Sequence, residues 1–90
     1  MYVVYVLYSL KDGKLYIGYS SDLERRLSEH HSGSVNATRD RRPLKLIYYE
    51  AYLSELEAKR REKYLKGGNG RLQLKAQLAL TFRALHYRFR

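Results

Sequence analysis

The chain opens on YVVYVLYS, an almost unbroken apolar and aromatic run that predicts a strand from about Tyr2 to Ser9. The polar KDGK that follows offers Asp12-Gly13 for a turn, and KLYIGY resumes a strand pattern, so the N-terminus reads as a β-hairpin. The period then changes. Leu23, Arg26, Leu27 and His30 fall at i, i+3, i+4 and i+7, the spacing of a core-facing helical stripe. Ser21, with Glu24 three residues on, gives that helix a capping-box signature, and its end is expected near His31. SGSVNATRDRRP reads as a polar loop closed by Pro43, and LKLIYYEAY as a third strand. Ser54 and Glu57 repeat the capping signature before a helix expected from Glu55 to about Lys66. GGNG reads as a break, and a last helix is expected over about 71–87, with Leu74, Leu78, Phe82 and Leu85 on one face. The order is ββαβαα: an α+β chain with a small sheet, antiparallel in its hairpin and covered by helices, as one domain over residues 1–90.

Several residues sit where packing alone would not put them. An even-length hairpin turn places Tyr5 and Tyr16 on one face. A two-residue turn would separate them by roughly 13 Å, whereas a four-residue turn over 10–13 sets Tyr16 opposite Leu7 and makes Tyr5 its diagonal neighbour at roughly 7–8 Å. Two phenols then either converge on a site or pack on a half-exposed face. Gly18 marks either a close approach by another group or the exit of the strand into the helix cap. Arg26 on the leucine stripe either presents a planar fork to a phosphate or packs its stem with the head in water. His30, one turn on, is either a proton relay or a satisfied surface histidine. Glu62 borders the stripe formed by Ala58 and Leu65. It either pairs within the helix, with Lys59 or Lys66, or ligates a hard divalent cation.

Charge changes the picture most. Lys and Arg number 18 against 9 Asp and Glu, for a net charge of +9. Glu62 is the last acidic residue, so Lys63, Lys66, Arg71, Lys75, Arg83, Arg88 and Arg90 follow without compensation. A second cluster, Arg39, Arg41, Arg42 and Lys45, surrounds the single proline. Such clusters suit a polyanion, nucleic acid being the commonest, though a merely solubilising surface also fits. With no cysteine there is no disulfide framework and no thiolate metal site, which fits a reducing cytoplasm. No run is long enough to span a bilayer, so no membrane partner is expected, and the first residues read as a strand rather than a signal peptide.

The residues singled out share an order: VVY at Val3 to Tyr5, YIG at Tyr16 to Gly18, DLERRLSEH, then AKRREKYLK. Together these resemble the GIY-YIG nuclease superfamily, and within it the small stand-alone bacterial members similar to the nuclease module of the excision-repair endonuclease. The likeness covers about residues 2–75, including TRDRRPLKLIYYEAY. It implies a three-stranded antiparallel sheet flanked by helices. It also implies that Tyr5, Tyr16 or both help to position or deprotonate the attacking water, that Arg26 grips the scissile phosphate, and that His30 matches the histidine many members carry one turn later. Glu62 would bind a single divalent ion, Mg2+ or Mn2+. Val3 stands where the first motif has glycine, and Asn69 is assigned no role. A phenol's ordinary pKa near 10 would have to be lowered by Arg26 and the ion for it to act as a base.

The resulting expectation is a metal-dependent endonuclease acting on DNA, in structured or damaged form. Its basic residues, Arg39, Arg41, Arg42, Lys45, Lys63, Lys66, Arg71 and Lys75, would contact the backbone in a salt-sensitive way. The alternative is a nucleic-acid-binding module whose cleavage is weak or depends on a partner protein that targets it.

Overall fold

A computed structural model gives the fold and describes residues Met1–His86. Tyr87 of the expected last helix, and Arg88 and Arg90 of the basic count, lie outside the described residues. The elements are β1 (Tyr2–Ser9), β2 (Leu15–Ser20), α1 (Leu23–Ser32), a 3-10 turn (Arg39–Arg41), β3 (Leu44–Tyr52), α2 (Glu55–Lys66), α3 (Gly68–Gln77) and α4 (Ala79–His86). The three strands form one antiparallel sheet in the order β2-β1-β3, the α+β arrangement expected. No helix among the described residues is long and apolar enough to cross a membrane.

The hairpin takes the four-residue turn. Leu7 faces Tyr16, Tyr8 faces Leu15, and the Ser9 N–H donates to the Lys14 carbonyl at 3.0 Å. Gly13 occupies the left-handed region at φ 71°, which explains a glycine there. β1 is central and Val3 to Ser9 are buried, so its two side-chain rows feed two separate cores. Val3, Tyr5 and Leu7 pack with Leu44, Leu23 and Leu27 beneath α1. Val4, Val6 and Ile17 pack with Ala58, Leu65 and Leu74 beneath α2 and α3. Helices α1 and α2 therefore pack against opposite rows of one strand.

Two local expectations are corrected. The cap of α1 is Asp22, not Ser21: the Asp22 carboxylate accepts from the Arg25 N–H at 3.1 Å. A carboxylate serves well there because it meets both the free amide and the positive end of the helix. GGNG is also not a break but a tight corner between helices. Gly67 caps α2 through its N–H to the Tyr64 carbonyl at 3.1 Å, and α3 begins at the next residue, three residues before Arg71. Gly70 makes the corner possible, since a Cβ there would stand 2.0 Å from the Tyr64 carbonyl oxygen. The expected last helix is divided at Leu78 (φ −105°, ψ 31°), with Leu74, Phe82 and Leu85 buried. Ser54 caps α2 as predicted, accepting from the Glu57 N–H at 3.2 Å.

Candidate active site

The α1 stripe stands as spaced: Leu23, Arg26 and Leu27 are half-buried and His30 is fully buried. Beneath it lie Tyr5, at zero exposure, and Tyr16, half-buried. The two phenol ring centroids are 6.4 Å apart, and the His30 ring lies 5.6 Å from Tyr5 and 5.2 Å from Tyr16, edge-on to both. The diagonal pair allowed by the four-residue turn is therefore realised, with the imidazole completing a three-ring cluster.

Gly18 is what lets Tyr5 lie there. The two residues are cross-strand partners, and the phenol crosses the glycine so closely that a Cβ would sit 2.4 Å from both Cζ and Oη of Tyr5. The close approach, rather than the strand exit, explains this glycine.

The Tyr5 hydroxyl and His30 Nε2 are hydrogen-bonded at 2.7 Å, and His30 Nδ1 is bonded to Thr38 Oγ1, also at 2.7 Å. Thr38 is fully buried and was not singled out in the sequence. It reaches His30 because Gly33 ends α1 in the left-handed region at φ 84°, turning the loop back beneath the helix. The loop then winds into short turns, with Thr38 and Arg39 donating their N–H groups to the Val35 carbonyl, instead of running irregularly as its polar composition suggested. A glycine one residue past a helix end is the readable signal for such a reversal.

Burial sets the protonation states. It pushes the Tyr5 phenol up to about 12, and the charges of Tyr16 and Glu62 add to that, while Arg26 pulls the other way without winning. Burial also drives His30 down to about 4, helped by the positive charges of Arg26 and His31. Both groups are neutral at pH 7. A neutral imidazole donates from one ring nitrogen and accepts at the other, so it bridges the Tyr5 and Thr38 hydroxyls. The expectation that cations lower the Tyr5 pKa is reversed in the free protein: desolvation outweighs Arg26. Moving the phenolic proton onto His30 in the resting site is strongly uphill.

Arg26 and Glu62 both carry intrahelical partners. Arg26 Nη1 donates to Glu29 Oε1 at 2.9 Å, an i, i+3 pair about one-third exposed. Glu62 forms an ion pair with Lys66 Nζ at 2.9 Å and keeps 21% side-chain exposure. Such pairs contribute little to stability, so an incoming phosphate or cation displaces them at small cost. The Glu62 charge is nonetheless felt at Tyr5, which joins α2 electrostatically to the ring cluster. Among the described residues no cluster of three or more His, Cys, Asp or Glu is assembled. A lone, partly exposed carboxylate fits a hard ion such as Mg2+, which commonly takes one or two carboxylates and fills its shell with water and phosphate oxygens.

The basic loop is more tightly built than its composition implied. Arg41 Nε donates to Asp12 Oδ2 at 2.7 Å and its Nη2 to the Leu15 carbonyl at 3.3 Å. Arg39 bonds the Gly33 carbonyl at 3.0 Å and the Asn36 side chain. Arg42 bonds the carbonyls of Arg39, at 3.0 Å, and His31, at 3.3 Å. Lys45, Lys63 and Lys75 are exposed, Lys66 holds Glu62, and half-buried Arg71 reaches the Lys66 carbonyl at 3.4 Å. The structure thus gathers Tyr5, Tyr16, Arg26 and His30 at one place, brings Glu62 within electrostatic reach, and spreads the basic residues over loop, strand and helices.

Comparison with known proteins agrees with this geometry. Residues 1–75 match the family model described as the GIY-YIG catalytic domain. The chain is 42% identical over 77 residues to a UPF0213 protein of Clostridium perfringens, covering 82% of each chain. It is 47% identical over 64 residues to one from Streptococcus agalactiae, covering 70% of this chain and 72% of that one. The solution NMR structure of a UPF0213 protein from Bacillus halodurans is similar to it with a TM-score of 0.54 at 37% identity, covering 86% of this chain and 85% of the other.

Proposed function

Since the chain belongs to the GIY-YIG catalytic-domain family, a nuclease family, we propose that it is a metal-dependent endonuclease that hydrolyses phosphodiester bonds in cytoplasmic DNA, in structured or damaged form. The observation that carries this reading is the convergence of Tyr5, Tyr16 and His30 within 6.4 Å of one another, ring to ring, beneath an arginine on the same helix face.

Roles follow from access and charge. Tyr16, half-buried, is the phenol that addresses the attacking water. Tyr5, fully buried and hydrogen-bonded to His30, is the fixed member that holds Tyr16 and the imidazole in place. Arg26 leaves Glu29 to meet the phosphate and neutralises the charge that builds on its oxygens in the transition state. Glu62, released from Lys66, would hold a single Mg2+ or Mn2+, which when bound supplies further positive charge at the phosphate. Lys66, freed in the same exchange, is left to contact the strand.

One observation favours the second reading, a nucleic-acid-binding module with weak or partner-dependent cleavage. In the free chain Arg26 and Glu62 are both occupied by neighbours on their own helices. A partner protein that helped displace those neighbours would raise activity.

The test is cleavage of labelled DNAs and RNAs, linear, branched and damaged, with Mg2+ or Mn2+, using wild type beside Glu62→Ala and Arg26→Ala. Metal-dependent cutting of DNA by wild type, reduced about 100-fold or more in both variants, is expected. Salt-sensitive binding without cutting would favour the second reading, and cutting that survives both substitutions would remove these residues from the chemistry.

A further inference from the structure

A second feature lies on the other side of β2, away from the ring cluster. Lys14 and Leu15 at the start of β2, Arg41 from the loop, Arg71 and Lys75 from α3, and Phe82 from α4 line a recess of about 320 Å3. Four cations border it. Arg41 is matched by Asp12, whose carboxyl that guanidinium holds down at about 2, well below the usual range. Lys14, Arg71 and Lys75 have no carboxylate partner among the described residues. Three uncompensated charges thus converge on a concavity whose other walls are apolar, which strengthens the field inside it.

The larger recess of about 630 Å3, between Lys11, His31, Arg39 and Arg42, differs in two ways. Its arginines donate to carbonyls of their own loop, and Asp40 contributes an opposing charge. Less of its cationic capacity is left for a ligand.

The smaller recess also connects to the proposed catalytic residues. Glu62 bonds Lys66 one helical turn on, about 6 Å along α2. Arg71 donates to the Lys66 carbonyl, and Arg71 and Lys75 form the recess wall. Lys66, Arg71, Lys75 and Lys14 thus link the neighbourhood of Glu62, around the corner at Gly70, to the recess. A repeating anion with regular spacing suits this track better than a single small one.

We propose that this recess seats the sugar–phosphate backbone of the bound strand, a few nucleotides from the bond to be cut, and that Lys14, Arg71 and Lys75 are its phosphate contacts. Only the placement relative to the cut bond rests on the nuclease reading; the contact with the strand does not. Phosphate oxygens take the three cations, and the furanose edge covers Leu15 and Phe82. The site reads backbone rather than sequence, so it adds affinity in proportion to strand length.

The test uses the Lys14→Glu, Lys75→Glu double variant, both side chains being exposed. Binding of oligonucleotides of about four and about twelve nucleotides, lengths within the range of single-strand sites, is measured against salt with Ca2+ in place of Mg2+, so that binding is read whether or not the protein cuts. Wild type is expected to prefer the long strand. The variant should lose that preference by about 10-fold, with the magnitude of its salt slope smaller by about 2 or more. An unchanged ratio of long to short affinities, or equal loss for both lengths, would overturn the proposal. Inorganic phosphate titrated into wild type must perturb the Gly13 and Leu15 amide resonances far less than the long strand does. Equal perturbation would make the recess a small-anion site instead, and the amide readout also decides the matter if the variant fails to fold. Failure of cleavage in wild type would leave this binding result standing and sink only the nuclease reading.

Discussion

Two polar clusters are built against the same three-stranded sheet, and they could hardly differ more in charge. Beneath α1, Tyr5, His30 and Thr38 form a neutral chain of two hydrogen bonds, both 2.7 Å, with Tyr16 packed edge-on to the imidazole. On the β3 side, Glu50 accepts from Arg61 Nε at 2.9 Å and Nη2 at 3.0 Å, from the Tyr48 hydroxyl at 2.6 Å, and from Tyr52. Burial works against the Glu50 charge, but Arg61 and the two phenols hold its pKa below the usual carboxylate range. Burial and the Glu50 carboxylate together push Tyr52 up to about 12. Gln77 closes the cluster by donating to Tyr48 at 3.0 Å.

The charged cluster reaches across β3, α2 and α3, so its effect is to fix α2 on the sheet. Arg61 immediately precedes Glu62, so the fork that holds Arg61 also holds the turn of α2 that carries Glu62. The neutral cluster is instead incomplete at its outer rim. Tyr16 keeps solvent access, and Arg26 is about one-third exposed and paired with a half-exposed Glu29. A cluster closed around one carboxylate by a guanidinium and two phenols serves stability, whereas one that ends in a reachable phenol and a partly exposed guanidinium can serve chemistry.

The largest stability effect should come from the charged cluster. Arg61→Ala leaves Glu50 with only the two phenols and is expected to cost about 2–3 kcal/mol, somewhat below the ~3–5 kcal/mol of a fully buried pair, since both partners keep some exposure. Denaturant unfolding would measure it, and a loss under about 0.5 kcal/mol would place Arg61 among ordinary surface pairs. Gly18→Ala should come next. Its methyl group must push Tyr5 away from His30, at about 1–2 kcal/mol of overpacking. The variant should unfold at lower denaturant and show a displaced His30 imidazole resonance, and an unmoved resonance would mean that Tyr5 is not held as described.

The smallest effect is a pH slope. His30 sits near 4 when folded against an ordinary 6.5. As pH falls through 6.5 toward 4, the unfolded chain takes up a proton that the folded one refuses, so stability declines across that window and is flat above it. Asp12, near 2 against an ordinary 3.8, contributes only below it. The slope between pH 6.5 and 4 should be shallower in His30→Gln, and an equal slope would assign the titration elsewhere.

Much of this contrast was legible in the chain, though unevenly. β3 and α2 were readable to the residue because aromatic and β-branched content and the Ser54 cap act locally. Tyr5, Tyr16, Arg26 and His30 were legible as a group, since strand alternation and helical spacing put them on facing surfaces. The hairpin register was open between two turn lengths, and only the fold selects the four-residue turn. Thr38 was invisible because its contact with His30 depends on the backbone reversal at Gly33, although the Arg26–Glu29 pair was there to be read at i, i+3. The Glu50–Arg61 fork joins residues whose proximity exists only after α2 docks on β3. The corner at Gly70 was misread because glycine marks both a chain break and a close helix contact, and sequence does not tell them apart.

The most direct test of the division between the two clusters is a paired removal of one hydroxyl from each, Tyr16→Phe and Tyr52→Phe, with thermal unfolding and DNA cleavage measured on both. Tyr16→Phe is expected to keep its melting temperature and lose cleavage by about 100-fold or more, while Tyr52→Phe should lose melting temperature and keep its cleavage when assayed well below that temperature. Cleavage retained in Tyr16→Phe, or lost in a folded Tyr52→Phe, would contradict the assignment of chemistry to the neutral cluster and stability to the charged one.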